Sequence, residues 1–237
     1  MSKFKPLLIA LCAILAVSLT VVGTLAYITA QDTVTNTFTV GKVALVLDEA
    51  KVNTSGQPID ASGSPVNSVA DAPRVKGNEY HLLPGATYTK DPTVTVKAGS
   101  DAAYVRMLVS INKLSALDAI FDDAAADLLS LFNGKDASKW ILAGSSQSGD
   151  VITYEFRYFE VVDASASSTN VALEPLFESI TLPGFITGEQ LSTLYVSQSD
   201  CLNINVVAHA IQSTGFATEA QAWAAFDAQY PQATPTN

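Results

Sequence analysis

The sequence predicts a mainly β protein, an antiparallel jelly-roll-like β-sandwich with two or three inserted helices. Apolar and polar residues alternate over several short stretches, most clearly 103–111 and 151–158, and this period of two is that of a half-buried strand. Regular helices do not separate these stretches, which disfavours a parallel α/β sheet. The 237 residues suffice for one large domain with a substantial core.

Residues 1–26 have the pattern of a signal peptide. Two early lysines precede the apolar run Leu7–Val22, which is shorter than the roughly 20 residues that span a membrane. Small residues follow the run, and they predict cleavage between Ala26 and Tyr27. A permanent N-terminal anchor is the alternative. With cleavage, the chain is expected to be secreted, with no membrane contact afterwards.

Charge and cysteine content narrow the possible partners. The formal net charge is −10, and loss of the signal peptide, which carries two lysines and no acid, makes it more negative still. This acidity argues against nucleic acid and anionic lipid as partners. Because Cys12 leaves with the signal peptide, Cys201 has no internal disulfide partner, and we expect it to be a small buried residue at a strand start.

The rest of the chain divides into a candidate N-terminal arm, 27–35, the sandwich domain, 36–230, and a disordered tail, 231–237. Strands are expected over 36–49 with a bulge at Gly41, and over 93–98, 103–111, 151–162 and 202–212. Their inward residues are expected to be Val43, Leu45, Leu47, Val94, Val96, Ala98, Val105, Met107, Val109, Ile111, Ile152, Tyr154, Phe156, Tyr158, Leu202, Ile204, Val206, Ala208 and Ala210.

The connections carry their own signals. Residues 51–76 are rich in Asn, Ser, Gly, Pro and Asp and predict a long surface loop. Pro84-Gly85 predicts a type II turn, which favours proline and then glycine at its central positions. A short apolar piece is expected at Trp140–Leu142.

Three segments have helical patterns. Apolar residues recur at three and four over 114–132, which predicts one amphipathic helix, or two short ones broken near Asp122-Asp123. A short helix is expected over Gly188–Leu194. The last helix is expected to begin at Thr218, a capping residue, and to place Trp223 and Phe226 on one face.

Few residues could carry chemistry. His81 and His209 lack zinc-ligand spacing, and His209 is expected at a surface or edge position. Arg106 is expected to be structural, pairing with a carboxylate on a neighbouring strand or loop. Four acidic residues lack calcium-loop spacing and favour a solvated helix face; they are Asp118, Asp122, Asp123 and Asp127. The sequence therefore predicts no enzyme, no metal and no cofactor.

Two blocks, 23–43 and 82–111, carry a family resemblance. The first contains the Ala26-Tyr27 junction and then Asn36, Phe38, Val40 and Gly41; the second contains Pro84, Gly85, Lys90-Asp91-Pro92, Tyr104 and Arg106. Together they resemble the TasA/camelysin family of secreted matrix proteins from Gram-positive bacteria. The branch most similar is that of the SipW-dependent biofilm matrix proteins.

The resemblance implies a jelly-roll subunit of an extracellular biofilm-matrix or surface fibre, processed by a SipW-type signal peptidase. It also implies self-association by donor-strand complementation, in which the arm of one subunit fills a groove in the next. Ile28, Ala30 and Val34 fall on one face of the arm, with Asp32 interrupting. The alternative is that this segment is simply the first strand of its own domain.

Two other functions stay open on the sequence. One is a monomeric secreted β-sandwich that binds a glycan or a host surface, which exposed aromatic residues on one loop cluster would favour. The other is a camelysin-like secreted metalloprotease, although the two histidines offer no zinc-binding spacing. Size-exclusion chromatography and electron microscopy separate the fibre subunit from the monomeric module.

Overall fold

The computed structural model describes residues 29–32, 43–121 and 128–231. The strands are β1 (Thr29–Asp32), β2 (Leu45–Ala50), β3 (Arg74–Val75), β4 (Thr87–Thr89), β5 (Thr93–Val96), β6 (Ala103–Ile111), β7 (Phe132–Asn133), β8 (Trp140–Ser148), β9 (Val151–Tyr158), β10 (Val171–Ala172), β11 (Ser179–Thr181), β12 (Tyr195–Ser197), β13 (Asp200–Cys201) and β14 (Ile204–Gln212). The helices are α1 (Leu114–Asp118), α2 (Gly188–Leu194) and α3 (Glu219–Gln229), with 3-10 turns at Val69–Asp71 and Leu128–Leu131.

The strands form four antiparallel sheets, which confirms the mainly β, antiparallel fold class. The largest sheet has five strands in the order β1-β14-β6-β9-β8, and a four-stranded sheet has the order β10-β5-β2-β3. A three-stranded sheet, β4-β11-β7, and the two-stranded ribbon β12-β13 complete the set. Three helices accompany these sheets among the described residues, as the sequence predicts for a sandwich with inserted helices.

One continuous core lies between the sheets, and the alternation of apolar residues builds it. Every second residue of β6 and β9 is buried, as are Val94 and Val96 of β5 and Leu45 of β2. Each such side chain contributes roughly 1.5–3 kcal/mol when fully buried. The inward faces predicted for these strands are therefore confirmed, except that β5 ends at Val96 and leaves Ala98 exposed.

Helix α3 covers the opposite, outer face of the five-stranded sheet. The Thr218 hydroxyl accepts a hydrogen bond from the Gln221 backbone N–H and starts the helix. Trp223 and Phe226 lie on its buried face and pack with Ile211 of β14 in a second apolar cluster. This confirms the predicted last helix and its apolar face.

Several predicted elements have other bounds. One continuous helix over 114–132 is wrong, because α1 ends at Asp118 and a 3-10 turn, followed by β7, occupies 128–131. The alternative of two short helices broken near Asp122-Asp123 is not tested, because the proposed break lies outside the described residues. Both described segments bury leucines, since Leu114, Leu117 and Leu128 all face the core. Residues 122–127, and with them Asp122, Asp123 and Asp127, lie outside the described residues.

Other expectations are confirmed or adjusted. Helix α2 has the predicted bounds, 188–194. Gly85 has a φ of +73°, and the Ala86 N–H donates to the Leu83 carbonyl, as a type II turn requires. The piece beginning at Trp140 extends to Ser148 as β8. Cys201 is free and lies in β13 but is only partly buried, because its two-stranded ribbon stands outside the main sheets.

Among the described residues no helix is both long and apolar enough to cross a membrane. The predicted signal peptide, 1–26, the strand start over 36–42 with its bulge at Gly41, and the predicted tail from residue 232 onward all lie outside the described residues.

Candidate assembly site

One edge of the five-stranded sheet is formed by β1, from the predicted N-terminal arm. Its ladder pairs Thr29 with Ile211 and Asp32 with Ala208, antiparallel to β14. Ala30, a predicted donor-strand residue, lies opposite Ala210. In the single chain, this part of the arm is thus an intramolecular edge strand, which is the pairing that the alternative interpretation predicted.

Beyond β1, no described strand pairs with the outer edge of β14. Strand β6 pairs with β14 along its full length, from Ile204 to Gln212, whereas β1 pairs only from Ala208 to Ile211. The outer edge of 204–207 therefore has no strand partner among the described residues. Strand β2 has a similar gap: β5 pairs with Leu45–Asp48, but on the other side β3 pairs only with Glu49 and Ala50.

A groove of about 370 Å³ lies between these two open edges. Its apolar lining comes from both sheets: Leu47 of β2 and Ile204 and Val206 of β14 contribute to it, and all three are partly buried side chains packed against the main core. No described strand pairs with the strand edges beside it, and an unpaired strand edge is a template for an added strand. The groove therefore offers an extended strand apolar contacts from both sheets.

Buried charges form the wall of the groove on the β2 side. Lys90 Nζ lies 2.6 Å from Glu49 Oε2, and Glu49 is only 4% exposed. Asn78 Nδ2 donates to Glu49 Oε1 at 2.8 Å, so both carboxylate oxygens have a partner. Burial, followed by the nearby Glu49 carboxylate, raises the pKa of Tyr80 well above its usual range. The buried Glu49–Lys90 ion pair is thus supported by a further hydrogen bond from Asn78, as a buried ion pair requires.

A second ion network joins the same wall to β3. Arg74 Nε donates to Asp48 Oδ1 at 2.8 Å, and its Nη1 donates to Asp91 Oδ2. Asp91 Oδ1 also accepts from the Ala50 N–H at 2.7 Å. Lys90 and Asp91 are the Lys-Asp pair of the second motif block, and in this structure both hold the end of β2 in place.

Arg106, on β6, organises the outer face of the five-stranded sheet. Its Nη1 and Nη2 donate to the two carboxylate oxygens of Asp227 on α3, and its guanidinium carbon lies 4.4 Å from the ring centre of Trp223. Glu155 of the neighbouring strand β9 is 3.7 Å from Nη1. The predicted structural role and bidentate pairing are present, but the main partner is on a helix rather than on a strand or loop.

His209 lies beside Arg106 and is buried, at 3% exposure, so the predicted surface or edge position is wrong. Arg106 Nε donates to His209 Nδ1 at 3.2 Å, and the imidazole stacks on Phe226 at 4.6 Å. Burial, and then the Arg106 charge, lower the pKa of His209 to about 3, although Asp227 opposes this. The histidine is therefore neutral in the folded state at neutral pH.

The remaining predicted site residues fall in two groups. Pro84 and Gly85 form the turn before β4, and Tyr104 packs against the outer apolar cluster next to Arg106. The others lie outside the described residues: Ala26, Tyr27, Ile28, Val34, Asn36, Phe38, Val40 and Gly41. Of the proposed donor residues, the structure thus describes Ala30 alone.

Three sets of residues were not predicted as a site: the Glu49–Lys90 pair, the Asp227 partner of Arg106, and the apolar lining of the groove. The Lys90-Asp91-Pro92 motif was a signal for the Glu49–Lys90 pair, because it comes directly before a strand with buried residues. A charged residue in that position must either be exposed or have a partner of opposite charge. No local signal marks the groove, since it depends on which strand edges are left open.

No family model, no curated protein and no solved structure matches this chain. Among the described residues, no group of three or more His, Cys, Asp and Glu side chains could hold a metal ion. The resemblance to the TasA/camelysin family stays a prediction from the two motif blocks.

Proposed function

We propose that this chain is a secreted structural protein, the subunit of an extracellular biofilm-matrix or surface fibre, and not an enzyme. The observation that carries the proposal is the position of β1. Within the part of the chain that the structure describes, it is a four-residue edge strand that pairs with β14 alone, and a groove lies beside the stretch of β14 that no described strand covers. A sheet edge of this kind accepts an extended strand by β-augmentation.

The place of β1 in the chain favours exchange. Cleavage after Ala26 by a SipW-type signal peptidase would put the new N-terminus at Tyr27, just before β1 at Thr29–Asp32. A strand at a free chain end can leave β14 and be replaced by the same strand of a neighbour without threading. The contact is then head-to-tail and does not close on itself, so it propagates a filament.

The proposal is tested with purified protein that begins at Tyr27. We expect electron microscopy of aged samples to show fibres, and size-exclusion chromatography to show loss of monomer over the same time. N-terminal sequencing of the secreted protein should begin at Tyr27; a start beyond Asn36 would remove the arm. Protein that stays monomeric at all times and concentrations overturns the fibre and favours the monomeric binding module.

A further inference from the structure

We propose that Lys90, Glu49 and Asn78 form a self-reacting set, in which the Lys90 amine attacks the Asn78 side-chain amide and forms an isopeptide bond with loss of ammonia. The three residues meet around one buried carboxylate at the end of β2. The reaction occurs once in each folded chain, so it gives the protein no turnover. It does not depend on fibre formation, and it would close the loop between residues 78 and 90 with a covalent bond.

The reaction needs an amine, an amide and a group that carries protons between them, and the structure brings all three together. Lys90 Nζ lies 2.6 Å from Glu49 Oε2, and Asn78 Nδ2 donates to Glu49 Oε1 at 2.8 Å. The amine and the amide therefore bind the two oxygens of the same carboxylate. Holding reactants as neighbours in this way replaces a collision between separate molecules, which lowers the barrier of a slow reaction.

Further hydrogen bonds orient the Asn78 amide for attack. Its Oδ1 accepts from the Val52 backbone N–H at 2.9 Å, and its Nδ2 also donates to the Ala50 carbonyl at 2.9 Å. The amide oxygen thus faces a donor that would stabilise the negative charge that develops on it during the attack. The amide nitrogen, which would leave, faces the Glu49 carboxylate, which can supply its proton.

The surroundings of the ion pair favour the neutral amine that must attack. Glu49 is 4% exposed and Lys90 is 9% exposed, so both charges are removed from water. The Tyr80 ring covers the amine, with its centre 6.0 Å from Nζ, and its hydroxyl donates to the Thr89 carbonyl. Transfer of one proton from Nζ to Oε2 removes both buried charges at once. A desolvated lysine amine of this kind is an activated nucleophile.

The step balances without any co-reactant. Nζ passes a proton to Glu49 and attacks Cγ of Asn78; the Nζ–Cγ bond forms and the Cγ–Nδ2 bond breaks. Through Glu49, a second proton from Nζ reaches the departing nitrogen, which leaves as ammonia. Glu49 ends as a neutral acid beside the new amide, so the positive charge of Lys90 and the negative charge of Glu49 are lost together. A buried ion pair is replaced by neutral, hydrogen-bonding groups, which reduces the cost of burial.

Intact mass spectrometry of purified, folded protein that begins at Tyr27 tests the proposal. We expect the mass to be lower than that of the sequence by one ammonia, and the loss to persist after unfolding in denaturant, because the bond is covalent. The mass of the unchanged chain decides the question whether or not any variant folds.

Peptide mapping locates the bond. Chymotrypsin cuts after Tyr80 and Tyr88, and trypsin cuts after lysine, so an unlinked chain releases the peptide 77–80 separately from Lys90. In the linked chain we expect 77–80 to stay joined to 89–97, because trypsin does not cut after a lysine whose amine is acylated.

Three variants separate the reaction from a merely structural ion pair. Lys90→Arg keeps a cation for Glu49, but the guanidinium stays charged and does not attack, so we expect the full sequence mass. Glu49→Gln keeps the size of the side chain but cannot carry protons, and we expect it to slow the linkage by roughly 10²-fold or more. Lys76→Arg is the matched control, since Lys76 also lines the groove, and it should retain the full loss of ammonia.

The outcomes separate this proposal from the fibre. Joined peptides in a protein that never forms fibres support the isopeptide bond and count against the fibre alone. The full sequence mass in the folded, unchanged chain after prolonged incubation overturns the isopeptide bond, even if fibres form. Loss of ammonia with separable peptides also overturns it, because the loss then comes from another residue, such as Asn133, whose side chain can close a ring with the Gly134 nitrogen.

Discussion

The two edges of the five-stranded sheet are built differently. Strand β8 is exposed over most of its nine residues and has no charged residue, but its register shifts between Leu142 and Gly144, where Ala143 is the extra residue. Such a bulge twists an edge away from a flat partner strand. At the other edge β1 pairs with 208–211 of β14, no described strand pairs with the outer edge of 204–207, and a groove lies beside that stretch. We infer that β8 is protected against pairing and that the β14 edge is prepared for it.

Charge separates the two edges as well. A buried cation lies near each face of the sheet at the β14 edge. Lys90 pairs with Glu49 beside the groove, and Arg106 pairs with Asp227 on the outer face. At the other edge, near the start of β8, Lys139 Nζ lies 3.6 Å from Glu174 Oε1, and both side chains are partly exposed. A buried charge must keep its partner, so the network fixes the geometry at the β14 edge, while the exposed pair constrains little.

The largest effect is expected from breaking the buried pair beside the groove. Lys90→Met leaves the buried Glu49 carboxylate with Asn78 as its one remaining side-chain partner among the described residues, and we expect it to lower the free energy of unfolding by about 3–5 kcal/mol. Lys139→Met is the matched control and should change it by less than about 1 kcal/mol. Denaturant titration measures both. Equal, small losses would show that the Glu49–Lys90 pair does not hold the edge.

Removal of the arm tests the edge itself. Protein that begins at Asn36 lacks β1 and its ladder to β14, and we expect it to fold, to lose about 2–4 kcal/mol of stability, and to form no fibres. Melting and electron microscopy of this protein beside one that begins at Tyr27 give both results. Fibres of normal width from the shortened protein would rule out strand exchange.

The buried histidine next to the β14 edge predicts acid sensitivity. His209 is neutral when folded because its pKa is about 3, whereas in the unfolded chain its pKa returns to about 6.5. As the pH falls below 6.5 the unfolded state binds the extra proton, so stability falls; between pH 7 and pH 4.5 this amounts to about 2–3 kcal/mol.

Unfolding titrations at the two pH values measure this loss. Between pH 7 and pH 4.5, the His209→Gln variant should lose about 2–3 kcal/mol less stability than the unchanged protein, since it lacks the titrating group. His81→Gln, at an exposed position, serves as the control and should retain the full loss. If the His209→Gln variant is as acid-sensitive as the control, the histidine is not the source.

The sequence predicted what depends on local pattern and missed what depends on distant packing. The alternation in β6 and β9 identified their inward residues, and the bounds of α2 and the start of α3 were also predicted. The period of two says which residues share a face, but it does not say what covers that face. His209 was therefore misplaced, because α3 covers the outer face.

The candidate site has the same limit. Arg106 and Asp227 are 121 residues apart in sequence, and no local signal pairs them. The open edges of β2 and β14 are visible only once the strand order is known, because each edge is defined by where a neighbouring strand ends. The sequence could predict an arm with strand character, but not the groove beside it.

The smallest effect is expected from a lysine placed on each edge. Ser146 of β8 and Asn205 of β14 are both exposed polar residues, so Ser146→Lys and Asn205→Lys should each change stability by no more than about 0.5 kcal/mol. Their effects on assembly should differ, since a lysine on an edge disfavours an incoming strand only where a strand comes in. We expect Asn205→Lys to slow fibre growth and Ser146→Lys to leave it unchanged, as followed by light scattering and electron microscopy at equal protein concentration. The opposite result, slow growth with Ser146→Lys alone, would make β8 the joining edge.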